Sequence, residues 1–112
     1  MRISMCHCLA CQRRTGSGHA VQARFPREQV TAIEGTSTAY ERTGDSGGRI
    51  TFHFCPTCGA TVHYALDGLP GFVVVPVGAF ADPTFPGPKV SVYEARRHPW
   101  SPVPETVIEH LD

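Results

Sequence analysis

The stretch Arg49-Ile50-Thr51-Phe52-His53-Phe54-Cys55-Pro56-Thr57-Cys58-Gly59 decides how the rest of the chain is read. Ile50, Phe52 and Phe54 fall on one side of an extended backbone, and Arg49, Thr51, His53 and Cys55 on the other, the period-two alternation of a strand. Cys55-Pro56-Thr57-Cys58-Gly59 then reads as a tight turn, with Gly59 suited to the positive φ that such a turn needs. Ala60 to Tyr64 leaves the turn as the next strand. Two thiolates three positions apart on a turn can chelate one Zn²⁺ at about 2.3 Å each, supported by turn amides. A redox pair with this spacing normally opens a helix in a βαβ pattern, whereas Cys58 is followed by glycine and a strand.

Outward from this knuckle the pattern stays mainly β. Asp67-Gly68-Leu69-Pro70-Gly71 is a turn, and Phe72 to Val77 is a nearly continuous apolar run expected as a central buried strand. Val90 to Ala95 is the last strand expected, and the tail around Pro99-Trp100-Ser101-Pro102 is expected to be irregular but packed. Upstream, Asp45-Ser46-Gly47-Gly48 is a turn; Val21 to Phe25 alternates as a strand halted by Pro26; Val30 to Ile33 and Thr38 to Tyr40 are further short strands. Residues Cys6 to Gly18 form a cysteine-rich loop running into a short helix through Leu9-Ala10-Cys11-Gln12-Arg13-Arg14, stopped at Gly16-Ser17-Gly18. The expected fold class is antiparallel β with one short N-terminal helix.

The chain has 112 residues, enough for one compact domain spanning 1–112. Eleven glycines and ten prolines suit short strands and many turns, and a metal would help to hold so modest a core. Ten basic and ten acidic residues cancel, so there is no overall field to attract nucleic acid or an anionic membrane. Aromatic residues are not interleaved with basic ones, a second argument against nucleic acid. No stretch approaches the roughly 20 apolar residues that cross a bilayer. Met1-Arg2-Ile3-Ser4-Met5-Cys6 has no apolar signal-peptide core, so the cytoplasm, where thiols stay reduced, is the expected compartment.

Five cysteines, Cys6, Cys8, Cys11, Cys55 and Cys58, carry the chemistry, an odd number that suits metal better than disulfides. Cys6-x-Cys8-x-x-Cys11 can converge if the loop folds back over a helix start. Three thiolates leave one tetrahedral zinc position open, the arrangement of a catalytic site. The alternative from spacing alone is one closed site of Cys8, Cys11, Cys55 and Cys58, with Cys6 spare. Among the histidines, His53 shares a face with Cys55, His63 lies one strand beyond, and His7 between two cysteines is expected to point away from the metal. Nucleophile elbow, P-loop, dinucleotide fingerprint and paired carboxylates are all missing, which leaves zinc–thiolate chemistry.

These residues resemble the glutathione-dependent formaldehyde-activating family, which shares a zinc domain with centromere-protein-V-like proteins. The resemblance is carried by Cys6-His7-Cys8-Leu9-Ala10-Cys11-Gln12-Arg13-Arg14-Thr15-Gly16 and by Arg49 through Gly59. It continues in Val77-Gly78-Ala79-Phe80-Ala81-Asp82-Pro83, and in Val92-Tyr93 with Arg97-His98-Pro99-Trp100. It implies a β-tent fold of small sheets held by zinc. It also implies an accessible zinc on Cys6, Cys8 and Cys11, and a structural zinc that Cys55 and Cys58 share with an earlier Gly-x-Cys-x-Cys-Gly strand. Only five residues precede Cys6 and that motif is not among them, so either the chain begins late or the site is rebuilt with His53, water or a partner chain. A missing edge strand would favour a homodimer. The activity implied is that of a carbon–sulfur lyase or S-(hydroxymethyl)glutathione synthase. It would act on a small thiol such as glutathione with formaldehyde; on charge alone, Arg13, Arg14 or Arg97 is expected to hold a glutathione carboxylate. The alternative is a non-catalytic binding or structural module that zinc stabilises.

Overall fold

The computed structural model describes residues 1–44 and 46–112. Asp45, expected in the turn before the knuckle strand, lies outside the described residues. The order of elements is β1 (Arg2–Cys6), α1 (Leu9–Thr15), β2 (Ala20–Pro26), β3 (Thr38–Thr43), β4 (Arg49–Phe54), β5 (Thr61–Leu66), β6 (Phe72–Pro76), β7 (Val90–Val92) and β8 (Glu109–His110). Short 3₁₀ turns sit at Arg27–Gln29, Val77–Phe80 and Glu94–Arg96. The strands hydrogen-bond in the order β3-β4-β5-β6-β2-β1-β7-β8. Among the described residues no helix is long and apolar enough to cross a membrane.

The mainly-β reading with one short N-terminal helix agrees with this architecture. Five details differ. Arg2–Cys6 is a strand in the interior of the sheet, antiparallel to β2 and parallel to β7. The β7–β8 pair is parallel as well. Val30 to Ile33 forms no strand: Thr31 to Ser37 are exposed, and β-branched residues cannot make a strand without a neighbouring strand to pair with. The strand expected over Val90 to Ala95 as the last one stops at Val92, because Tyr93 takes a left-handed conformation at φ 55° and starts the 3₁₀ turn, and β8 follows it. Trp100, expected to pack, is 71% exposed and stacks on His98, with ring centroids 5.0 Å apart.

Strand register decides which side chains share a face. Across the sheet Cys6 pairs with Val92, Ser4 with Gln22, Arg24 with Val74, Val74 with Tyr64, and Tyr64 with Phe52. Phe52, Tyr64 and Val74 form a buried cluster on this face, backed by Ile50 and Leu66. The opposite face carries Ile3, Met5, Ala23 and Val73, all buried. There the 3₁₀ turn after β6 packs on β2 and β6, with Phe80 edge-on to Phe25.

Candidate functional site

The spacing Cys6-x-Cys8-x-x-Cys11 works because each cysteine ends or begins a different local structure. Cys6 is the last residue of β1, and Cys8 is the N-cap of α1. The Cys8 sulfur accepts the backbone N–H of Cys11 at 3.3 Å, the capping bond usually made by serine or aspartate. Cys11 stands one turn into the helix and so turns its sulfur back toward the cap. The three Sγ atoms lie within 4.8 Å of one another, the one such group of three metal-donor side chains among the described residues. Gly16, at φ 69°, ends the helix and returns its N–H to Gln12 O at 2.8 Å.

Gln12 fixes α1 against the rest of the chain. Its Nε2 donates to His7 O at 2.9 Å and Arg96 O at 3.0 Å, while His98 Nε2 donates to its Oε1 at 2.8 Å. His7 is fully buried and turned to the other side of the sheet, its Nε2 3.0 Å from Ser91 Oγ and its Nδ1 without a hydrogen-bond partner among the described residues. Burial holds the imidazole below its ordinary pKa, helped by His19.

The sulfurs are electrostatically unequal. A hydrogen bond from the Cys6 thiol lowers Cys11 to about 6, helped by a bond from Cys8 and by Arg14. Cys6 is pushed far up by that same bond and by burial. Of this pair Cys11 is the sulfur that ionises first. Soft, closely spaced and already partly deprotonated, this donor set suits a thiophilic metal ion.

Beside the sulfurs opens a cavity of about 220 Å³ on the Phe52–Tyr64–Val74 face. Arg14 reaches over it from α1, its guanidinium carbon 5.0 Å from the Phe52 ring centroid and 5.4 Å from that of Tyr64. Burial pushes the Tyr64 hydroxyl well above the ordinary phenol range. Ser4, Gln22, Arg24 and Arg42 also line the cavity. Gln22 Nε2 donates to Ser4 Oγ at 2.9 Å, but Gln22 Oε1 and Arg24 Nε are buried without a hydrogen-bond partner among the described residues.

Cys55 and Cys58 do not join Cys8 and Cys11, so the closed four-cysteine arrangement does not form. They face one another at the β4–β5 turn, closed by Cys55 N–H to Ala60 O at 2.9 Å and Gly59 N–H to Cys55 O at 2.8 Å. Gly59 has the expected positive φ, 78°. Amides of Cys58 and Thr57 hold the Cys55 thiol below its ordinary range. His53 stacks on His63 across β4 and β5, centroids 4.4 Å apart, and its Nδ1 lies 3.1 Å from Ser37 Oγ. Of the three arginines expected near a carboxylate, Arg14 lines the cavity. Arg13 is exposed, and Arg97 donates to Ser101 O at 2.6 Å, away from the sulfurs.

Ser4, Gln22, Arg24, Arg42 and Tyr64 are at the site without having been singled out by the sequence. A signal existed for two of them. Gln22 and Arg24 are the polar half of an alternating strand, and alternation alone does not tell a solvent-facing side from a cavity-facing one.

A family model described as glutathione-dependent formaldehyde-activating enzyme matches residues 1–96. The comparison with curated proteins gives no match.

Proposed function

Because the chain belongs to the glutathione-dependent formaldehyde-activating enzyme family, we propose that it is a zinc-dependent carbon–sulfur lyase acting on a small thiol and its formaldehyde adduct. The carrying observation is the convergence of the Cys6, Cys8 and Cys11 sulfurs within 4.8 Å at the edge of a cavity. These three residues would hold the ion, and three protein donors is the number found in catalytic zinc sites, which keep a position for water or substrate. When bound, zinc supplies a Lewis acid that keeps an incoming thiol in its nucleophilic thiolate form.

The reaction adds a thiol across an aldehyde carbonyl. The sulfur–carbon bond forms as the carbonyl π pair moves to oxygen, and the proton lost from sulfur ends on that oxygen as a hydroxyl. The reverse breaks the carbon–sulfur bond and restores thiol and aldehyde. Arg14 gives the cavity positive charge next to the sulfurs, which favours an anionic reactant. The aromatic and aliphatic floor limits water around the reacting sulfur, which strengthens charge interactions there. Gln12 holds α1, and with it Cys8 and Cys11, in place.

Cys55 and Cys58 are read as structural ligands that need donors beyond the pair, since two sulfurs do not fill a tetrahedral set. All five cysteines are free thiols, which suits a reducing compartment, and we assign the protein to the cytoplasm on that ground.

The test is exchange spectroscopy by NMR on zinc-loaded protein mixed with formaldehyde and glutathione or another small thiol. Faster exchange between free thiol and S-hydroxymethyl adduct is expected, lost in Cys11→Ser. Firmly held zinc with no acceleration for any small thiol would instead leave a zinc-stabilised binding or structural module.

A further inference from the structure

The cavity's own chemistry says more about its occupant than the sulfurs do. Arg24 is the informative residue. It stands directly across from Arg2 in the β1–β2 ladder, a like-charge pairing that costs stability unless each cation is compensated. Arg2 has its counter-ion, Glu109, at 3.3 Å. Arg24 has no carboxylate within ion-pair distance among the described residues. Its guanidinium carbon lies 5.0 Å over the Phe72 ring, and its Nε is buried with no acceptor among the described residues. A buried donor on a charged group is costly to leave unmade. Arg14, on the facing helix, likewise lacks a carboxylate partner among the described residues and rests on Phe52 and Tyr64. Both line the same cavity, whose remaining floor includes Ile50, Leu66, Leu69 and Val74.

Among the described residues three cavity-lining cations, Arg14, Arg24 and Arg42, have no carboxylate partner; over an aliphatic and aromatic floor they call for a ligand that is anionic at one end and apolar in its body. We propose that this cavity binds a small thiol carrying one carboxylate on a short alkyl or aryl body, with Arg24 and Arg14 gripping the carboxylate. Such a mercapto acid fits better than glutathione, whose ammonium would find no carboxylate among the described residues that line the cavity. The proposal rests on the preceding reading only for which sulfur reacts; the carboxylate grip follows from the cavity itself.

The grip is tested on the full chain with a thiol-free probe, 3-phenylpropionate, against the matched alcohol 3-phenyl-1-propanol, by calorimetric titration. The acid is expected to bind about tenfold or more tightly, the ratio that a charge-assisted hydrogen bond supplies. Arg24→Gln and Arg14→Gln should each shrink that ratio severalfold, and Arg24→Lys should keep part of it, with circular dichroism checking that each variant folds. Equal binding of acid and alcohol overturns the proposal, as does an acid preference that survives both glutamine variants. So does glutathione binding as tightly as 2-mercapto-3-phenylpropionate. Formaldehyde exchange with the latter thiol reads the other conclusion separately: intact binding without acceleration rejects the lyase reading while upholding the carboxylate grip.

Discussion

Replacing Gln12 by methionine keeps the length of the side chain and removes every hydrogen bond it makes. Three are lost: the two donated to His7 O and Arg96 O, and the one accepted from His98 Nε2. At about 1 kcal/mol net each they would sum to roughly 3 kcal/mol. The bond to Arg96 O is exposed and water replaces it, so about 2 kcal/mol is the better figure. For a chain of this length that lowers the melting temperature by roughly 8 °C. A second readout separates a general loss of stability from the role assigned to Gln12. Its amide holds the carbonyl of His7, the residue between Cys6 and Cys8, so the sulfurs lose a fixed frame. Zinc affinity, measured by competition with a chromophoric chelator at a temperature where the variant is folded, should fall on the order of tenfold. A variant with unchanged melting temperature and unchanged zinc affinity would falsify the idea that Gln12 locks the helix onto the sheet. Gln12→Glu is the internal check. It keeps the acceptor for His98 but turns a carboxylate on two carbonyls, and should be no more stable than Gln12→Met.

Phe52→Ala removes the aromatic centre of the buried cluster and the seat of Arg14, and should cost about 3–5 kcal/mol in chemical denaturation. Ser91→Ala leaves both nitrogens of the buried His7 ring without a partner among the described residues, and should cost about 1–3 kcal/mol with little change in cavity binding. His110 Nδ1 lies 2.8 Å from Glu94 Oε2, and this contact holds the Glu94 carboxyl below its ordinary value of 4.5. A depressed acid stabilises the fold fully above its unfolded value, and that contribution disappears as pH falls through the lower folded value. Glu94→Gln should therefore flatten the acid limb of a melting-temperature profile below about pH 4.5, and an unchanged limb would count against the contact.

The knuckle and its flanking strands were legible because the information is local. Alternation in Arg49–Phe54 and a glycine that tolerates φ 78° specify strand, turn and strand without reference to anything distant. The helix was legible for the same reason, down to its stop at Gly16. What could not be read depends on partners far away in sequence. Arg2–Cys6 contains the alternation Ile3, Met5 against Ser4, Cys6, but whether five residues form a strand is decided by β2 and β7, which take them between two ladders. Val30 to Ile33 has good local propensity and no neighbour, and stays irregular. The site was legible as a cysteine spacing, since strand end, helix cap and first turn are local features. The cavity wall was not: Gln22 and Arg24 look like surface residues until the helix is seen lying over their face of the sheet.

The placement of β1 bears on how the protein is made. β1 can pair early with β2, which follows closely in the chain, but its other neighbour, β7, is synthesised much later. The locks on the cysteine segment come from that same late stretch: Val92 O accepts from His7 N–H, Arg96 O accepts from Gln12, and His98 donates to Gln12. Contacts this distant form slowly and only after the intervening chain has been released. Cys6, Cys8 and Cys11 leave the ribosome before β7 and are thus among the last residues to be locked in place.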